Sequence, residues 1–567
     1  MPKKTARKAE PTLESARNLV LGGLLLGVLL SALDSTVVGT SLPKVVADIH
    51  GFEHIGWVFS AYMLASTLVI PLSGKFSDLY GRRPVYLTGL LVFIIGSALC
   101  GTVTNMTQLI LCRGLQGVGG GMLFPVAMAT VADLYAPSER GKVQGAIGGM
   151  FGFASVVGPF IGGWIVDYVN VLGVASWRWI FYVNLPVGIA AFAMISSYYP
   201  HVKRQEAKPI DVAGSATMSI SLVSLLLVTI LGGDTFGWNS PAIYALGIAS
   251  IVFILLFVYI ETKVKDPLVP PVLFKEPIFV VSATAGFLIG ICMFGVISFM
   301  PTYMQGVVGI SATYSGAVLL PLTVVMVLCS FTSGVLLNRF GYKVFMIIGT
   351  LVTALGLFLL TGLGAHPDMR VAIVDMMVLG VGLGFTMQTY VVASQNVMAR
   401  KLLGVGTSTL ALLRTLGATI GVTIFQVLVN RQLKPELQDH LGGIQVQNTP
   451  ILNILLANPA IAGHYERIPE LLLVKSFTSD PLNRLVVDGI KVAYTDALSS
   501  VFMIGAALAV LCFFITLFMK SVPLKSKEEY MNGTKSGSSE AQKTKVKEKK
   551  GKGTPKKKRE AKDKPNR

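Results

Sequence analysis

Two ionisable residues stand inside long apolar runs, where a bilayer would leave them few options. Asp34 lies in the run 19–42 and Arg113 in the run 108–131. A carboxyl group among apolar helices can bind and release a proton. A free aspartate titrates near pH 4, and burial moves carboxyl groups in general upward by as much as several units. An arginine at such depth costs roughly 2.5–3.5 kcal/mol on insertion scales, so it needs a partner or a water-filled cavity. A packing role alone is the competing reading for Arg113. Asp34 sits just beyond the middle of its run, toward the outer end, and Arg113 falls at a comparable depth from the outer end of its own. The two could share one cavity, but depth does not show that they face each other.

The elements that must carry these residues follow from composition. Hydrophobic residues make up 52% of the 567 and charged residues 14%. A soluble surface needs about a quarter of its residues charged, so a large water-facing surface is excluded. A spanning helix needs about 20 apolar residues. About fourteen such windows occur: 19–42, 55–75, 84–104, 108–131, 143–166, 178–199, 212–232, 241–261, 278–301, 313–336, 344–363, 371–393, 406–429 and 491–519. None alternates as barrel strands do, and lipid offers exposed amides no partner, so each reads as a helix. The expected fold is an all-α membrane protein with two six-helix halves, 19–199 and 278–519, and two linking helices in 211–261.

Charge orients the chain. Short loops carrying Lys75, Arg82, Arg83, Arg140, Lys142, Arg339, Lys343, Arg400 and Lys401 alternate with sparser ones carrying Lys44, Arg178 and Arg370. The richer set is expected on the cytoplasmic side of a cell membrane. An even number of spans puts both termini there. The N-terminus, 1–18, and the tail, 520–567, are both basic. Residues 523–567 hold 16 Lys or Arg against 6 Asp or Glu with no apolar period, a composition expected to be disordered. That tail is read as solvated or resting on anionic lipid, and nucleic-acid binding is not expected. The segment 430–490 is expected to form an outer hairpin or short surface helices. The five cysteines lie in apolar runs without metal or disulfide spacing. No metal, cofactor, nucleophile or acid–base cluster suggests an enzyme.

Two stretches repeat one pattern. Residues 74–83 read GKFSDLYGRR and 334–343 read GVLLNRFGYK, with Gly, Asp or Asn, Gly and a basic residue at the same offsets. Gly74 and Gly81 permit a tight turn. Asp78 can sit against a helix N-terminus, and Arg82 and Arg83 can pair with it or with end carbonyls. Asn338 replaces the Asp in the second copy and carries no charge, so a second latch should be weaker. Arg113 opens RGLQGVGGG, which also contains Gln116. The run ASVVGPFIGG holds Gly158, Pro159, Gly162 and Gly163. Further marks are LDSTVVGTSLP around Asp34, WRWIFYVNLP at 177–186 and RTLGATIG from Arg414.

Together these resemble the major facilitator superfamily, and within it the fourteen-helix drug:proton antiporter branch. The resemblance covers about 19–430 and 491–519. It implies that Gly74, Asp78, Gly81, Arg82 and Arg83 act as a conformational latch. It also implies that Gly158-Pro159-x-x-Gly162-Gly163 is the antiporter motif, although the same small residues would serve helix packing. Ala154 stands where the signature has an earlier glycine, and Gly39 and Ser41 stand where the branch usually has Asn and Ala.

The chain carries no Walker-type phosphate loop, so the energy is expected to come from a gradient. A proton crossing 100 mV releases about 2.3 kcal/mol, enough for more than a tenfold concentration ratio. Asp34 and Arg113 are the expected proton-coupling and substrate residues, with Gln116, Asp375 and Arg414 secondary. In the simplest scheme, deprotonated Asp34 recruits a cationic drug from inside and protonated Asp34 releases it outside. The expected cargo is small and lipophilic, cationic molecules included. The expected partners are protons and membrane lipids, and the chain is expected to act as a monomer. A carrier of one endogenous solute (a lipid, siderophore or amino acid) and a non-transporting receptor are the alternatives. Asp375 is expected at the outer interface.

Overall fold

A computed structural model describes residues 13–49, 55–169, 175–199, 211–232, 236–310, 312–364, 368–441 and 481–524. Most of the basic ends and the centre of the 430–490 segment lie outside the described residues. The elements are α1 Leu13–Ile49, α2 Ile55–Tyr80, α3 Arg82–Cys100, α4 Met106–Leu134 and α5 Pro137–Tyr168. α6 is a broken element of Ser176–Arg178, Trp179–Tyr182 and Asn184–Tyr198. α7 is Val212–Leu231, α8 Pro241–Lys263, α9 Pro277–Gly306, α10 Ala312–Phe340 and α11 Tyr342–Leu360. α12 comprises Met369–Met387 and Thr389–Val397, α13 is Leu403–Leu441 and α14 Pro481–Leu517.

Thirteen of these helices are long and apolar enough to cross a membrane. α5, at 32 residues, reaches about 48 Å at 1.5 Å per residue and is also long enough. The chain is therefore a multi-pass helical membrane protein with thirteen such helices among the described residues, roughly consistent with the expected fourteen. Several helices overshoot their apolar windows. α1 continues through Pro43 to Ile49, α5 begins at Pro137, α13 runs on to Leu441 and α14 starts at Pro481. A helix satisfies its own backbone, so it need not stop where the hydrocarbon does. The described flanks of 430–490 are thus helix extensions, not a hairpin.

Helices α1 to α6 pack on one another, as do α9 to α14. The first group is held by two buried apolar clusters, one around Tyr86, Phe93 and Leu123 and one around Val58, Trp177 and Phe181. The second group shares one large cluster that includes Phe279, Phe299, Phe425 and Phe502. The halves meet along two seams, α5 against α10 and α2 against α13, with α4 also touching α13.

The repeat seen in the sequence is visible as geometry. Gly81 joins α2 to α3 and Gly341 joins α10 to α11, each as a single residue with positive φ, 95° and 76°. A side chain is strained there, so glycine makes the turn. The face carrying these turns is called the turn face below.

α7 and α8 pack against each other and lie across the α2–α13 seam. A small cluster of Ile70, Met218, Leu222, Phe257, Leu268, Ala411 and Leu412 joins the hairpin to both halves. Asp211 caps α7 by accepting from the Gly214 amide at 2.8 Å. Glu261 accepts from the amides of Leu268 and Val269 at 3.0 and 3.1 Å. Lys75 of α2 donates to the carbonyls of Asp266 and Pro267 at 3.2 and 2.9 Å. The rest of α8 turns outward, with Ile248, Ile251, Leu255 and Tyr259 all exposed, as a lipid-facing helix requires.

Candidate functional site

Asp34 of α1 and Arg113 of α4 meet. Arg113 Nη1 donates to Asp34 Oδ2 at 2.5 Å, and both side chains are almost wholly buried. The same Nη1 donates to Gln116 Oε1 at 2.7 Å, one helical turn further along α4. Gln116 Nε2 and Asn184 Nδ2 donate to Asp34 Oδ1 at 2.8 and 3.2 Å. Both amides also reach Ser97 Oγ, at 3.1 and 3.0 Å. Ser97 Oγ in turn donates a hydrogen bond to the Phe181 carbonyl at 2.9 Å. The Arg113 guanidinium lies 4.4 Å from the ring centroid of Tyr62, whose hydroxyl is 3.2 Å from Ser31 Oγ. Five helices thus converge on the network around one carboxylate, and among the described residues its donors are Arg113, Gln116 and Asn184.

This network belongs to the first half alone. Asp34 is 2% exposed and lines neither lobe of the space between the halves. Both its oxygens are occupied by protein donors. In this state it is not placed to receive a cationic drug directly, as the simplest scheme required. Asn184 and Ser97 were not singled out as candidates. Asn184 lies within WRWIFYVNLP, but a lone amide in an apolar run carries no partner information. The run ASVVGPFIGG lies beside this network: Gly158 is buried against Thr36 of α1, and Thr36 Oγ1 donates to the Ala154 carbonyl at 3.2 Å. Gly162 is also buried, whereas the side-chain placement of Pro159 and of position 163 lies outside the described residues.

The turn face is closed by contacts between the halves. Asp78 Oδ2 accepts from the Val405 amide, near the start of α13, at 2.8 Å. Its other oxygen pairs with Arg82 at 2.5 Å, and Arg82 Nε reaches Asp133 at 2.8 Å. Arg83 instead donates to the Ser196 carbonyl on α6 at 2.5 Å. Gly74 packs against Gly404 and Ser408, and a Cβ there would overlap both. In the second copy Asn338 donates to the Ser138 carbonyl of α5 at 2.8 Å, so that crossing has no charge.

A further crossing was not anticipated, because Arg140 reads in the sequence as an ordinary loop cation. It is 1% exposed, in the first turn of α5. It donates to the carbonyls of Ala132, Tyr135 and Gln395 at 2.7, 3.1 and 3.2 Å. Gln144 Nε2 donates to Gln395 Oε1 at 2.8 Å, and Gln395 Nε2 to Thr407 Oγ1 at 3.1 Å. The Arg and the two glutamines seal the centre of the turn face.

Above that seal, a narrow two-lobed space lies between the halves, with room for only a few water molecules in this closed arrangement. Phe124, Met387, Gln388 and Arg414 line both lobes, with Met293 and Met326 in one and Met128 and Tyr390 in the other. Arg414 lies eleven residues into α13, about 17 Å from its start, which is mid-membrane depth. Its guanidinium is 5.4 Å from the Phe124 ring. Gln388 occupies the break in α12. Asp375 lies in neither lobe. It sits about two turns into α12, toward the expected outer end, and its side chain is buried among the helices.

The fold and this arrangement define a two-bundle helical membrane protein with a central cavity and a closed face. The chain belongs to the Major Facilitator Superfamily, whose family model matches residues 24–217 and 212–422. It is 39% identical over 529 residues to the multidrug transporter protein MdtP of Bacillus subtilis, covering 91% of this chain and 95% of that one. It is 33% identical to multidrug resistance protein 3 of the same organism, covering 91% and 98%. Among solved structures, the proton:xylose symporter XylE matches with a TM-score of 0.59 at 13% identity, covering 91% of this chain and 99% of that one, a likeness of fold.

Proposed function

We propose that this protein exports lipophilic small molecules, drugs among them, in exchange for protons. The two helical halves rock about the central cavity, and the turn face is the cytoplasmic one. The basic ends then lie in the cytoplasm of a cell-membrane protein that works as a monomer. The observation that carries this reading is the Asp34 carboxylate, enclosed with Arg113 inside one half and separate from the cavity where cargo would sit. A proton arriving at Asp34 removes the negative charge that holds Arg113, Gln116 and Asn184 together. Arg113 then lacks its counter-charge, and α1 and α4 shift relative to α2, α3 and α6 until it finds another. Loss of the proton restores the pair. Asp78 on the α13 N-terminus is the contact that this motion must break and remake.

The names of the two Bacillus relatives support drugs as cargo. The test is dye uptake into proteoliposomes with and without an imposed pH gradient, beside an Asp34→Asn variant. The gradient should drive accumulation by the wild type. The variant should exchange dye at equilibrium but ignore the gradient. Wild-type flux that is indifferent to acidity would overturn proton coupling.

A further inference from the structure

Among the described residues, Arg414 is the one charged side chain that lines the central cavity, and it is positive. It makes no ion pair or hydrogen bond among the described residues, and it lies half-buried over the Phe124 ring. No carboxylate lines either lobe. A guanidinium at mid-membrane depth is costly unless something neutralises it. Beside it, Gln388 is 95% buried (5% exposed) and its Oε1 has no hydrogen-bond partner. A buried acceptor without a partner is also unfavourable. The rest of the lining is mainly apolar, with Phe124, Met293, Met326 and Met387 prominent beside the hydroxyl-bearing Ser330 and Thr407. Flexible methionine side chains fit irregular apolar bodies of varied shape.

We propose that this cavity takes amphipathic organic anions. The acidic group pairs with Arg414, an N–H or O–H of the cargo donates to Gln388 Oε1, and the apolar body lies on Phe124 and the methionines. The inference rests on the export reading and sets its cargo class against the cationic one expected from Asp34. Asp34 is tied to Arg113 elsewhere, so the cavity offers a cation no counter-charge and places it beside a guanidinium of like sign. A neutral cargo would leave Arg414 uncompensated.

The test uses two dyes on one three-ring skeleton, fluorescein as the anion and rhodamine 123 as the cation, in proteoliposomes under a pH gradient. Wild-type protein should accumulate fluorescein in preference. Arg414→Gln removes a charge-assisted contact, so fluorescein uptake should fall by about tenfold or more while rhodamine 123 uptake does not fall. Arg414→Lys should keep most of the fluorescein flux. Gln388→Leu should raise the KM for fluorescein without loss of maximal rate, which keeps the proposal testable if Arg414→Gln misfolds. Preference for rhodamine 123, or fluorescein flux unchanged in Arg414→Gln, overturns the anion site and leaves export standing. Transport of neither dye by the wild type overturns the export reading and this inference with it.

Discussion

Asp34 and Arg113 are 79 residues apart in the chain, yet Oδ2 and Nη1 lie 2.5 Å from each other with both side chains out of solvent. Removing one partner of a buried pair leaves the other charge uncompensated, at a cost of about 3–5 kcal/mol. Asp34→Asn and Arg113→Gln should each lower the melting temperature in detergent. The double variant should lose much less than the sum of the two, because it leaves no stranded charge. Strictly additive losses would mean that the pair contributes nothing as a pair. Neither single nor double variant should respond to a pH gradient.

The latch at Asp78 should be worth more than its counterpart at Asn338. Asp78→Ala removes a charged acceptor from the Val405 amide and from Arg82, contacts of about 1.5–3 kcal/mol each. Asn338→Ala removes one exposed neutral bond, at about 1 kcal/mol or less. Ser408 lies behind the first latch and is 1% exposed. A cysteine there should react with a membrane-impermeant maleimide about tenfold faster or more in the Asp78→Ala background. Equal acceleration by Asn338→Ala would refute the ranking.

Where α5 crosses α10, Gly141 and Gly334 bring their backbones together, and a Cβ on either would overlap backbone of the other. Overpacking of this kind costs about 1–3 kcal/mol. If the halves rock as proposed, the penalty applies only while the turn face is closed. Gly334→Ala should therefore slow dye exchange by roughly tenfold while the protein stays monodisperse and near its wild-type melting temperature. A variant that transports normally would show that this seam never needs to close so tightly.

Glu261 holds the segment after α8 through two amide bonds. Glu261→Ala should lower thermal stability by about 2–4 kcal/mol, with dye flux per folded molecule retained. A flux defect that exceeds the loss of folded protein would place the hairpin in the transport cycle.

Much of this architecture could be read from the residues. A span is set by hydrocarbon thickness, so fourteen apolar windows were enough to place fourteen helices. The repeat GKFSDLYGRR and GVLLNRFGYK located the positive-φ turns at Gly81 and Gly341, where glycine is favoured, but not the third positive-φ glycine, Gly309. The pairing of Asp34 with Arg113 was within reach as a matter of depth, but helix rotation decides which faces meet, and no single-sequence signal carries it. For that reason Asn184 and Ser97 are not legible as partners of Asp34, and Arg414 cannot be assigned to the cavity from the sequence. Arg140 misled most: a cation at a helix start reads as an anchor to the membrane surface, and its burial depends on carbonyls from α4 and from Gln395, 255 residues away.

The linking hairpin makes the protein lopsided toward its solvent. The α2–α13 seam is roofed by α7 and α8 through the cluster around Leu222 and Phe257, whereas α5 and α10 show Phe153, Leu328 and Phe331 directly to the surroundings. A molecule dissolved in the acyl chains therefore meets one shielded flank and one bare flank. The pair of extra helices therefore gives the two seams unlike surroundings, one covered by protein and the other facing the acyl chains directly.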